Sequence, residues 1–176
     1  MTTFLELAKD RYSVRSFTTQ PVETEKLAQV LEATRVAPTA CNGQPQRIKI
    51  ITSDEELAKI DQCTPSRFGA PAVLLVCYDK SVCWKRQFDG ALSGEVDASI
   101  VATHVILAAQ DMGLGSCWVM FFDPKKVREL FELPDTVIPV AILPIGYPKD
   151  DAAPSKQHGE RLPLDKIIKC LSALYC

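Results

Sequence analysis

The chain has 176 residues, 47% of them hydrophobic and 24% charged, with a net charge of −2. That length suits one well-filled core and is short for two, and the balance excludes a disordered chain and gives nucleic acid no electrostatic footing. The longest apolar stretch, Ile100 to Ala109, is broken by Thr103 and His104 and is about half the ~20 residues that cross a bilayer. The N-terminus carries an early acid and no basic segment, so one cytoplasmic domain over residues 1–176, without membrane, is expected.

In chain order, a short helix is expected from Thr3 to Asp10. A second, opened by Pro21, is expected over Thr24 to Val36, where Leu27, Val30, Leu31 and Thr34 recur at helical spacing, and Pro38 ends it. Arg47 to Thr52 alternates as a strand. Ser53 with Glu56 forms a capping box that opens a short helix through Ile60. Pro71 to Tyr78 is a continuous apolar run of strand length, as a central strand requires. Glu95 to Met112 reads as a helix apolar on most of its circumference, closed by Gly113, and such a helix needs cover on every side. Cys117 to Phe122 reads as a strand, and Asp123 with Pro124 starts a helix to about Glu132. Val137 to Gly146 reads as a buried strand in which Pro139 and Pro144 imply bends or an unpaired edge. A polar arm, Lys149 to Pro163, leads to a final amphipathic helix from Leu164. The alternation of elements indicates a layered α+β or α/β fold.

Seven cysteines, at 41, 63, 77, 83, 117, 170 and 176, include no Cys-x-x-Cys pair. Reduced thiols are therefore expected, with no disulfide framework and no metal site. Of the two histidines, His104 reads as a satisfied core residue and His158 as solvated.

Three segments carry candidate chemistry. In Arg11-Tyr12-Ser13-Val14-Arg15, an extended backbone puts Arg11, Ser13 and Arg15 on one face, where two guanidinium forks and a hydroxyl suit a phosphate dianion; a solvated turn would look the same. In Ala37-Pro38-Thr39-Ala40-Cys41-Asn42-Gly43-Gln44-Pro45, Asn42 can match the mixed edge of a flavin pyrimidine ring or cap its own backbone. In Gly113-Leu114-Gly115-Ser116-Cys117-Trp118-Val119-Met120, the glycines allow either tight packing or close approach of a ligand, and this is not a dinucleotide fingerprint.

Taken in this order, together with L-P-I-G-Y-P and the late E-R-L-P-L-D-K, these segments resemble the nitroreductase family over nearly the whole chain. The resemblance implies an α+β fold with a central, mainly antiparallel sheet flanked by helices. It also implies an intertwined homodimer with FMN at the subunit interface, and NADH or NADPH as co-substrate. Arg11, Ser13 and Arg15 would hold the phosphate, with Arg161 and Lys156 arriving from the C-terminal arm, and Tyr12 would belong to the same cofactor-binding segment. Pro38, Thr39, Ala40 and Asn42 would come from the other subunit. Trp118, Val119 and Met120 would set backbone groups against the ring near N5, and Gly146 and Tyr147 would complete the cradle. Hydride would pass through FMN to a small-molecule acceptor such as a nitroaromatic or quinone, with no catalytic side chain and no metal. A non-catalytic flavin sensor or storage protein would share the grip. Two departures, Gln46 where the family commonly has an aromatic and Met120 where it often has glycine, border the expected substrate face.

Overall fold

The computed structural model describes residues 2–168. Helix α1, Phe4–Asp10, starts at Thr3, whose hydroxyl accepts from Glu6 N while the Glu6 carboxylate returns a bond to Thr3 N (2.7 Å). Helix α2, Thr24–Val36, has the bounds that its periodicity and the following proline predict. A 3-10 turn, Ala40–Asn42, leads into strand β1, Gln46–Ile51. Helix α3, Asp54–Cys63, is capped by Ser53, but Glu56 pairs with Lys49 at 2.8 Å rather than closing the box. Strand β2, Ala72–Asp79, precedes helix α4, Gly94–Asp111. Strand β3 is only Gly115–Ser116; helix α5, Pro124–Leu130, strand β4, Val137–Gly146, and helix α6, Leu164–Ile167, follow. The remainder of the predicted final helix lies outside the described residues.

The sheet runs β1-β2-β4-β3 and every neighbouring pair is antiparallel. Alternate residues of β2 serve two cores. Leu74 and Val76 pack with Val30, Ala98, Ala102 and Val105 under α2 and α4, and Val73, Leu75 and Cys77 pack with Ile51, Leu57, Ile60 and Val127 under α3 and α5. Helices cover both faces, so β2 reads as an unbroken apolar run although the sheet is antiparallel.

Both prolines of β4 sit at interruptions of the ladder. Pro139 lies at the bulge opposite Val76 and Cys77. Pro144 accepts from Cys117 N at 3.2 Å but has no N–H to return, so the predicted strand Cys117 to Phe122 fails to form as a ladder. Only Val119 re-engages, exchanging 3.0 Å bonds with Ile142 in both directions. Helix α5 stops short of Glu132, which stands at φ 50°.

Helix α4 ends on Gly113 at φ 72°, with Leu114 N donating to Ala109 O at 2.8 Å. A Cβ there would meet nothing within 4 Å, so only the left-handed backbone is at stake. Gly113→Ala is expected to cost about 1 kcal/mol and to lower the thermal midpoint by roughly 2–4 °C. A midpoint unchanged by calorimetry would contradict that account of the helix end.

Candidate functional site

The segment after α1 is extended, as its alternation predicts, and lies along the sheet. Ser13 bridges Ser116 in parallel, with Val14 N donating to Ser116 O at 2.9 Å, and Phe17 bridges Pro148. Val14 and Phe17 bury themselves against Ala70, while Ser13 is half-buried and Arg15 exposed. Cys117 lies beneath this segment. Burial pushes its thiol up, while the Arg15 cation, the Ser13 hydroxyl and the Arg11 cation beside it act in the other direction. Arg11, Ser13 and Arg15 all lie near enough to the Cys117 thiol to act on it.

The charges there are uncompensated. Of the eight arginines in the chain, Arg35, Arg47, Arg67, Arg86 and Arg128 are in ion pairs. Among the described residues, Arg11, Arg15 and Arg161 make none; the contacts of Arg15 and Arg161 are to carbonyls of their own neighbourhood, Ser13 O at 3.4 Å and Glu160 O at 2.8 Å. The arm that carries Arg161 and Lys156 is docked on the same segment. Tyr12 donates to Ala152 O at 3.3 Å, and Lys149 N donates to Ser16 O. His158 is not solvated as its polar neighbours suggested: it is half-buried, edge-on to the Tyr12 ring at 6.3 Å, with Nε2 at 3.1 Å from Lys9 O. Lys156 and Arg161 flank this clasp, so Tyr12 fastens the arm rather than contributing charge.

Beyond Ser116 the sheet edge opens. The backbone groups of Val119 are consumed by Ile142 and its side chain is buried, and Met120 O accepts from Phe122 N at 3.0 Å, so the Met120 N–H and the Trp118 backbone are the groups of this stretch directed away from the ladder. Met120 is 63% exposed and, with Tyr78, Glu95 and Pro124, lines a cavity of about 220 Å³. Gly146 acts from behind: a Cβ there would lie 2.7 Å from Pro71 Cδ and 3.3 Å from Phe17 Cδ1. Tyr147 is engaged elsewhere, donating to Glu23 at 2.7 Å and accepting from Lys26 at 2.8 Å.

The loop Pro38–Asn42 is exposed or half-buried, and Cys41, Asn42 and Gln44 all stand at positive φ, 50°, 54° and 47°. Asn42 does not cap it. Thr39 Oγ1 accepts from Gln44 N at 3.1 Å, and Ala40 N donates to Asp97 Oδ1 at 2.8 Å, so the Asn42 amide is left on the surface. Asp97 has no counterpart among the residues singled out from sequence. Its signal was an acid one turn before Val101 and two before Val105 on the buried face of an apolar helix. Gln46 is corrected as well: its side chain turns inward to Thr34 O at 3.4 Å instead of bordering an open face.

His104 bonds Ile100 O at 2.9 Å within α4. The five described cysteines, Cys41, Cys63, Cys77, Cys83 and Cys117, are free, and the described residues hold no cluster of potential metal ligands. No helix among them is long and apolar enough to cross a membrane.

A sequence model of the nitroreductase family matches residues 8–64 and 64–147. The chain is 31% identical over 176 residues to the FMN reductase (NAD(P)H) of Bacillus subtilis, covering 90% of this chain and 69% of that one. It is 29% identical to an NADPH-dependent oxidoreductase of Staphylococcus aureus, covering 92% and 70%. A crystal structure of a nitroreductase family protein from Clostridium difficile superposes with a TM-score of 0.89 at 42% identity, covering 95% and 97%.

Proposed function

The chain belongs to the nitroreductase family, and from that membership we propose that it is an FMN-dependent oxidoreductase that takes hydride from NADH or NADPH and passes it to an oxidised small molecule such as a quinone or nitroaromatic. It works as a single-domain homodimer in the cytoplasm. The observation that carries this reading is the set of arginines without acidic partners among the described residues, Arg11, Arg15 and Arg161, carried by the extended segment and the docked arm. Uncompensated guanidinium groups beside a hydroxyl are the donor set a phosphate monoester needs.

When bound, FMN supplies the hydride relay at its N5, so no acid or nucleophile of the chain has to perform the chemistry. The chain's part is binding and orientation. Arg11, Ser13 and Arg15, with Lys156 and Arg161 from the arm, hold the phosphate. The outward backbone of Trp118 and Met120, stiffened by Val119 in the ladder, meets the ring edge. Pro38, Thr39, Ala40 and Asn42 approach from the second subunit, and Gly146 keeps the strand behind the grip close to Pro71 and Phe17.

Purified protein is expected to be yellow and to bleach on addition of NADH or NADPH. Protein that stays colourless and leaves FMN fluorescence unquenched on titration would sink the reading. With the flexible Met120 on the open side and no ring from Gln46, kcat/KM for quinones and nitroaromatics is expected to agree within about a hundredfold, or ~2.7 kcal/mol of differential transition-state binding. Strong turnover of one class with none of the other would show a selective pocket instead.

A further inference from the structure

Asp97 is a buried carboxylate that the hydride chemistry does not use. It is 2% exposed, in the first turn of α4, and both its oxygens are engaged: Oδ1 accepts from Ala40 N at 2.8 Å, and Oδ2 accepts from the Ser93 hydroxyl at 2.7 Å. A carboxylate is retained in so dry a place only with strong partners. The helix start supplies a favourable dipole, and the Ala40 amide supplies a charge-assisted bond to a segment 57 residues away in sequence.

The segment it holds is under strain. Cys41, Asn42 and Gln44, none of them glycine, take left-handed backbone angles within four residues. Such angles persist only where surrounding contacts over-determine them. Those contacts are Asn42 N to Thr39 O, Gly43 N to Ala40 O, Gln44 N to Thr39 Oγ1, the Gln44 side-chain amide to Asn42 O at 3.4 Å, the Arg47 guanidinium to Gln44 O at 3.3 Å, and the bond from Ala40 N to Asp97. Only the last ties the turn to a helix. Gly43 adds a steric seat, since a Cβ there would come within 3.2 Å of Ala40 O and 3.5 Å of Val82 O.

We propose that Asp97 is a positioning residue: through Ala40 N–H it fixes residues 39–44 in the one conformation that presents Thr39, Ala40 and the unengaged Asn42 amide to the flavin. This rests on the functional reading above. The carboxylate does not touch the cofactor; it acts by denying the loop its alternative conformations, so FMN does not have to order the loop when it binds. Ser93 completes the device by occupying the second oxygen.

The test compares Asp97→Ala with Asp97→Asn, whose amide oxygen still accepts from Ala40 N–H, by FMN titration and by amide hydrogen exchange of residues 39–44 in the apoprotein. Asp97→Ala is expected to speed exchange in that segment and to raise the FMN Kd, each by at least about tenfold, the scale of losing a hydrogen bond to a charged group. The β2 and β4 amides should stay protected, and Asp97→Asn should remain within about threefold of the parent in both measurements. Should Asp97→Ala not fold, Ala40→Pro removes the donor from the other side. Thr39 is extended (ψ 158°), the conformation favoured before proline, and the Ala40 N–H bonds Asp97 alone among the described residues, so proline at position 40 removes that bond without taking a donor from the turn; it should reproduce the same losses. Parent-like exchange and affinity in Asp97→Ala or Ala40→Pro would overturn the proposal, as would an Asp97→Asn protein no better than Asp97→Ala. The exchange result stands whether or not FMN binds. Failure of the parent protein to bind FMN would instead refute the flavin reading.

Discussion

Arg11→Ala/Arg15→Ala is expected to lose at least a hundredfold in FMN affinity while the apoprotein melts within about 2 °C of the parent. An anion about 4 Å from a guanidinium near a protein surface gains on the order of 4 kcal/mol per contact before desolvation is subtracted. Two such contacts, discounted for the dehydration of ligand and cations, leave more than the ~2.7 kcal/mol that a hundredfold represents. The melt is spared because neither arginine is in an ion pair among the described residues, so no native partner is orphaned. Arg35→Ala is the control. It removes an exposed pair with Glu32, of the kind that contributes little, and should change neither quantity. Fluorescence titration of the double variant decides the matter; FMN affinity equal to the parent's would remove the phosphate from this segment.

The second large effect concerns assembly. Helix α4 buries Ala98, Val101, Ala102, Val105, Ile106 and Ala109 against the sheet and α2, but Val96 on its outer side is 62% exposed. Val96, Ile100 and Leu92 line an open groove of about 510 Å³ there, and Phe88 stands 98% exposed in the segment before it. Ser99 and Thr103 on the same side satisfy their hydroxyls on the helix backbone, donating to Glu95 O at 2.7 Å and Ser99 O at 2.9 Å, which leaves their methyl and methylene surface outward. In the proposed homodimer this groove is covered by the second subunit. Val96→Glu/Ile100→Glu would set two unpaired charges in that contact at a cost of several kcal/mol. Light scattering is expected to give a monomer of 19.4 kDa that no longer retains FMN, because in the proposed homodimer the loop Pro38–Asn42 of each site would be lost with the partner. A variant that stays dimeric and yellow would place the subunit contact elsewhere.

Elements whose signal is local were legible in the sequence. The bounds of α2 followed from helical spacing and a proline, β4 from its apolar run, and the caps at Ser53 and Asp123 from residues within three positions of the groups they satisfy. Alternation along Arg11 to Arg15 was enough to expect an extended segment there, and the backbone is extended, with Ser13 bridging Ser116. The order of the motifs was enough to suggest the family.

What the sequence could not disclose was how distant groups satisfy one another. Pro144 cancels a ladder bond to Cys117 and so truncates β3, an effect visible only once the two strands are side by side. Val119 and Met120 are near neighbours in one motif, yet only the sheet decides that one is consumed by Ile142 and the other faces out. Gln46 looked like part of an open face until β1 turned it toward Thr34, and His158 looked solvated until the arm folded back on Lys9. Asp97 reads as one acid in an apolar helix, and its bond to Ala40 spans 57 residues. The sequence by itself determined the helices, three of the four expected strands and the sign and spacing of the charges, since these depend on neighbours a few residues apart. Tertiary structure decided which polar groups are left without partners and therefore face a ligand, because whether a donor is already satisfied depends on chain segments brought together only by burial of the core.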